Sequence, residues 1–66
     1  MDNDIKKGSI VQVADPGGGG HTSAKVVEAG DTTLIVKWLE ARWDLRNNVM
    51  LARKGTKSTV YRSQLV

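Results

Sequence analysis

Eight side chains in the C-terminal part of this 66-residue chain are of the types that grip a polyanion. Arg42, Arg46, Arg53, Lys54, Lys57 and Arg62 are cationic, and Trp43 and Tyr61 are aromatic among them. Cations follow a phosphate backbone while aromatic faces stack on bases, each stacked base contributing about 1–3 kcal/mol. On a duplex the same cations give binding that weakens steeply with salt. The plainer reading of these residues is a solvated face that keeps a small protein in solution, with Trp43 as a lid over the core.

Other candidate chemistry is thinner. His21 stands beside Thr22 and Ser23, but a nucleophile also needs a third group to orient its base. Asp2 with Asp4, and Glu28 with Asp31, are the closest carboxylate pairs. They fall at a chain end and a hairpin tip, where solvated charges are ordinary. Gly17 to Gly20 resembles a phosphate cradle in composition, yet a strand and not a helix is expected after it, so a connecting loop is the simpler reading. With no cysteine and His21 as the one histidine, neither a disulfide nor a zinc site is expected. No catalytic residue, metal or cofactor is expected.

The net charge of +3 is unevenly spread: residues 1–41 carry −2 and residues 42–66 carry +5. Such asymmetry favours long-range attraction of a polyanion to the C-terminal half. Sixty-six residues make one domain that buries only about 60% of its unfolded surface, so a single small core is expected, with self-association as one way to extend it. No apolar run approaches the roughly 20 residues of a membrane span. Met1-Asp2-Asn3-Asp4 is too acidic to open a secretory signal, and the lack of cysteine fits the cytoplasm.

The elements that must position these residues read as strands. Ile10–Ala14 is a short strand with Val11 and Val13 on one face. Pro16-Gly17 suits the centre of a type II turn. Thr22 to Ala29 and Thr33 to Leu39 form a hairpin about Gly30-Asp31, with Ala24, Val26, Leu34, Val36 and Trp38 facing in. The opposite face of the third strand carries Ile35, Lys37 and Leu39, apolar enough to suggest a contact surface. Residues 40–48 predict a long connection with one helical turn near 40–46, since good helix formers dominate, or else an extended third strand turning at Asn47-Asn48. Val49–Arg53 and Ser58–Tyr61 are the fourth and fifth strands, and the C-terminus closes in a tight turn that tucks in Leu65. Residues 1–7 read as a loose tail and 8–66 as the folded domain.

This pattern resembles the SH3-like small barrels, in particular the Tudor, agenet and KOW group and the C-terminal barrel of retroviral integrases. The resemblance is carried by Gly8-Ser9-Ile10-Val11-Gln12-Val13, a glycine-rich loop, Ala24-Lys25-Val26-Val27, Leu34-Ile35-Val36-Lys37-Trp38 and Val60-Tyr61-Arg62-Ser63-Gln64-Leu65. It implies an all-β, five-stranded antiparallel barrel that binds DNA, RNA, methylated side chains or protein tails. A methyl-lysine cage takes three or four converging aromatics, and here Trp38, Trp43 and Tyr61 are all there are, with Trp38 facing inward. The type II dihydrofolate reductases are similar in size and fold, but where they carry Val-Gln-Ile-Tyr this chain has Ser58-Thr59-Val60-Tyr61.

The sequence therefore points to a small non-enzymatic barrel whose partner is nucleic acid, held by Arg42, Arg46, Arg53, Lys54, Lys57, Arg62, Trp43 and Tyr61. The alternative is a protein-interaction module, with a homo-oligomer as one form of it, using Ile35, Leu39, Trp43 and Met50.

Overall fold

The computed structural model describes residues 5–16 and 20–66. Within them the strands are β1 (Ile10–Ala14), β2 (His21–Ala29), β3 (Thr33–Trp38), β4 (Arg42–Asp44), β5 (Val49–Ala52) and β6 (Lys57–Tyr61), followed by a 3-10 turn at Arg62–Gln64. All pairings are antiparallel. One sheet has the order β1-β2-β3-β6, and β4 and β5 form a separate two-stranded hairpin. The type II turn expected at Pro16-Gly17 reaches outside the described residues.

Alternation along each strand builds the core. Val11 and Val13 of β1, Ala24 and Val26 of β2, Leu34, Val36 and Trp38 of β3, and Val60 of β6 are all buried on one face of the sheet. Ile5, Ala52 and Leu65 pack against them, so the core reaches back into the segment expected as a tail. Strict alternation would carry Glu28 inward after Val26. A bulge prevents this: Val26 faces Val36, but Glu28 faces Ile35, which leaves Val27 as the extra residue. Because a one-residue slip exchanges the two faces of a strand, the bulge keeps the Glu28 carboxylate in water.

The β2–β3 turn is closed by the Gly30 N–H donating to the Thr33 carbonyl at 2.8 Å. A Cβ on Gly30 would sit 3.1 Å from that same oxygen, which is why the position suits glycine. At the other end of the chain, Leu65 bridges to Val13 and the Val66 N–H donates to the Gln12 carbonyl at 2.8 Å. The C-terminus thus lies along β1, on the side away from β2.

Two expectations change. The sheets do not close into a five-stranded barrel. β5 and β6, joined by the Arg53–Thr56 turn, belong to different sheets, so among the described residues β6 pairs with β3 alone and its other edge is open. The helical turn near 40–46 is also replaced, because Arg42–Asp44 is a strand paired with β5. The reason is local. Asp44 Oδ1 accepts the backbone N–H groups of Arg46 and Asn47 at 3.1 and 3.3 Å, and Oδ2 accepts the Asn47 amide at 2.8 Å. Asn48 then adopts a left-handed φ of 56°, which asparagine tolerates. An aspartate that ties up the next backbone donors initiates a turn and competes with helix. A second bulge, at Leu51, separates the Arg42–Ala52 pair from Trp43–Met50.

Candidate functional site

The six C-terminal cations divide into two groups. Arg42 and Arg62 serve the fold. Arg42 Nη2 donates to the Ala14 carbonyl at 3.0 Å, and its guanidinium lies 4.9 Å from the centre of the Trp38 ring. Its Nε is 3.5 Å from Asp15 Oδ1, an ion-pair distance, but has no hydrogen-bond partner among the described residues. Asp15 is held in turn by Thr22, whose hydroxyl donates to Oδ1 at 2.7 Å. Arg62 Nε donates to the Gly30 carbonyl at 2.9 Å, and its own N–H donates to the Thr32 carbonyl. Each arginine therefore clips one loop to a distant element.

Arg46, Arg53, Lys54 and Lys57 are exposed. Arg46 lies in the turn of the β4–β5 hairpin, Arg53 and Lys54 in the turn before β6, and Lys57 on β6 itself. The two aromatics lie on different sheets: Trp43 opposes Met50 on the hairpin, and Tyr61 opposes Thr33 in the main sheet. Tyr61 is the more open, 62% exposed against 37% for Trp43. A single groove walled by both is not formed by the strand pairing.

What the pairing does bring together is a row of lysines. Lys25 faces Lys37 across β2 and β3, and Lys37 faces Lys57 across β3 and β6. All three point away from the core and are exposed. Adjacent strands lie about 4.8 Å apart, so the backbones of the three lysines share one line perpendicular to the strands, with all three side chains on the same outward face. Lys7 joins them, lining with Gly8, Lys25, Val26, Val27 and Lys37 a shallow groove of about 350 Å³. Among the described residues none of these lysines has an ion-pair partner. Like charges directly opposite each other destabilise a sheet, so the row costs the fold something. Tyr61 lies on the same face of β6 as Lys57, four residues on.

Lys7, Lys25 and Lys37 escaped the sequence reading because they sit in its acidic half. The hairpin turn alone does not reveal the pairing: counted on from Ala29–Leu34, position 25 would fall opposite 38, and the bulge at Val27 is what brings Lys25 level with Lys37.

The apolar candidates also separate. Ile35 and Leu39 lie on either side of Lys37 along the chain, on the outward face of β3 and just past its end. Trp43 and Met50 oppose each other on the hairpin, where Leu45, Val49 and Leu51 are exposed as well. His21 and Ser23 each bind Gln12 and not each other, with His21 Nδ1 2.8 Å from Gln12 Oε1 and Ser23 Oγ 2.9 Å from Gln12 Nε2. Among the described residues no cluster of three or more histidines or carboxylates could hold a metal ion, and no helix is long and apolar enough to cross a membrane. Neither a protein-family model, nor a curated protein, nor a solved structure matches the chain.

Proposed function

We propose that this protein is a non-enzymatic, SH3-like nucleic-acid-binding module whose contact surface is the outer face of the β1-β2-β3-β6 sheet. The lysine row carries the reading: Lys25, Lys37 and Lys57 in register, with Lys7 beside them, present closely spaced cations at a cost that phosphates would offset. Arg53 and Lys54 add exposed cations in the turn that leads into β6, and exposed Tyr61, on the same face as Lys57, offers a stacking face. The SH3-like reading is supported by the strand order, in which Leu65, after the 3-10 turn at Arg62–Gln64, bridges to β1, and β2, β3 and β6 follow.

Fluorescence anisotropy of labelled single- and double-stranded oligonucleotides at low salt tests this. The double reversal Lys25→Glu with Lys37→Glu is expected to abolish binding. Unchanged affinity in that variant refutes the assignment of the face.

A second reading, a protein-interaction module, draws on the hairpin, where Trp43, Leu45, Val49, Met50 and Leu51 leave apolar surface in water.

A further inference from the structure

The open edge of β6 has a defined polarity. The Trp38 N–H donates to the Thr56 carbonyl, and the Arg62 N–H donates to the Thr32 carbonyl, each at 2.9 Å. Backbone groups alternate in direction along an antiparallel ladder. Ser58 and Val60 therefore turn both of theirs toward β3, as do the Thr56 carbonyl and the Arg62 N–H at the ends, and Lys57, Thr59 and Tyr61 turn theirs away. The Tyr61 N–H does point outward, where Gln64 Oε1 accepts it at 2.8 Å. Lys57 and Thr59 have no such cap among the described residues.

Beside this edge lies a groove of about 550 Å³, lined by Met50, Leu51, Ala52, Arg53, Thr56, Lys57 and Ser58. A sheet face would contribute every second residue to a lining. Consecutive residues from both sides of the turn mark the groove as the gap between strand edges. Met50 and Leu51 are each 44% exposed there.

We propose that this gap accepts an extended peptide from another protein, added as a strand to β6, in which carboxylates alternate with apolar side chains. Strand addition obtains affinity from backbone hydrogen bonds and specificity from alternate side chains. The incoming strand would pair with Lys57 and Thr59. Its outward side chains would lie beside Lys57, where a carboxylate continues the lysine row with opposite charge. Its inward side chains would meet Met50 and Leu51. The chain has no Asp or Glu after Asp44, while Arg46, Arg53, Lys54, Lys57 and Arg62 all follow it, so the surroundings of the gap favour an anionic segment. A second copy of β6 is a poorer occupant. Antiparallel self-pairing centred on Thr59 would place Lys57 opposite Tyr61 and require the Tyr61 N–H in both copies, and Gln64 already holds it.

The probe is a blocked octapeptide alternating valine with aspartate or glutamate, titrated into ¹⁵N-labelled protein. A matching peptide with lysine for the carboxylates, and a single-stranded oligonucleotide, serve as comparisons. The acidic peptide is expected to shift and protect the Lys57 and Thr59 amides and to perturb Met50 and Leu51. Thr59→Pro removes an outward N–H that the β3 ladder does not use, a substitution that edge strands tolerate. It is expected to weaken the peptide about tenfold while leaving oligonucleotide affinity unchanged. The proposal is overturned if the peptide shifts map to Lys25 and Lys37 and not to the edge, if the lysine peptide binds equally well, or if the oligonucleotide alone protects the edge amides. Equal peptide affinity in folded Thr59→Pro also overturns it. Should that variant not fold, the amide map of the unaltered protein decides. The nucleic-acid reading stands or falls separately, on Lys25→Glu with Lys37→Glu.

Discussion

Replacing Arg42 with alanine separates a cation that builds the fold from the cations that face solvent. The Arg42 side chain is 13% exposed and that of Asp15 is 9% exposed. The substitution frees the Ala14 carbonyl, leaves Asp15 with the Thr22 hydroxyl alone among the described side-chain partners, and uncovers the Trp38 ring, now 1% exposed. A hydrogen bond to a charged donor contributes about 1.5–3 kcal/mol, and a cation over an aromatic face about 0.5–1 kcal/mol at a partly exposed site. The regained freedom of a long side chain in the unaltered protein's unfolded state offsets about 1–2 kcal/mol of this. The net loss is about 2 kcal/mol, a substantial fraction of the roughly 3–10 kcal/mol expected for a domain of this length. It corresponds to a fall in Tm of about 10 °C. Urea unfolding followed by tryptophan fluorescence and circular dichroism measures the loss, and oligonucleotide anisotropy at low temperature measures binding by the folded fraction. Arg42→Met, which keeps a stem over Trp38 without the charge, should fall between the two. If Arg42→Ala is as stable as the parent yet loses the oligonucleotide, Arg42 is a phosphate contact and its structural assignment is wrong.

Two further perturbations follow from the same geometry. Lys37 stands between two lysines, so Lys37→Thr should raise stability by about 0.5 kcal/mol and weaken oligonucleotide binding, opposite signs that urea unfolding and anisotropy record on one sample. Asp44 has its pKa lowered by the Asn47 side-chain hydrogen bond first and by the Asn47 and Arg46 backbone donors as well. Its contribution to the hairpin turn is therefore present above the ordinary value of 3.8 and lost as pH falls through the lower folded value. The Arg46 and Asn47 amide shifts should move in that acid range and stay flat in Asp44→Asn; movement in both proteins removes Asp44 as the cause.

Much of the main sheet is legible along the chain because each of its signals is local. Apolar alternation through Val11, Val13, Val26, Leu34, Val36 and Val60 marks one face, and Gly30-Asp31 marks the turn between β2 and β3. Leu65 marks the closing contact. The β4 strand is only half legible. Extended chain turning at Asn47-Asn48 is one of two expectations for this segment and lies nearer the observed strand and turn. Ala41, Arg42, Leu45 and Arg46 favour the helical one, and the deciding groups are the Asp44 carboxylate and the pairing of β4 with β5. Tertiary contacts override propensity at such a place. The roles of Arg42 and Arg62 are hidden for a different reason. Their partners are backbone carbonyls 28 and 32 positions away, which composition cannot reveal. The lysine row needs the register of three strands at once, and the Val27 bulge alters that register partway along β2.

The most direct test of the nucleic-acid assignment is the salt dependence of oligonucleotide affinity in the unaltered protein. Four lysines on phosphates, Lys7, Lys25, Lys37 and Lys57, predict a slope of log Kobs against log salt of about −3.6 on duplex DNA and about −2.8 on a single strand, steepening to about −5.4 and about −4.2 where Arg53 and Lys54 also reach phosphates. Each lysine removed from the row should flatten the slope by about one such unit. Absence of binding at 50 mM salt, or a slope near zero that Lys25→Glu with Lys37→Glu leaves unchanged, would contradict it.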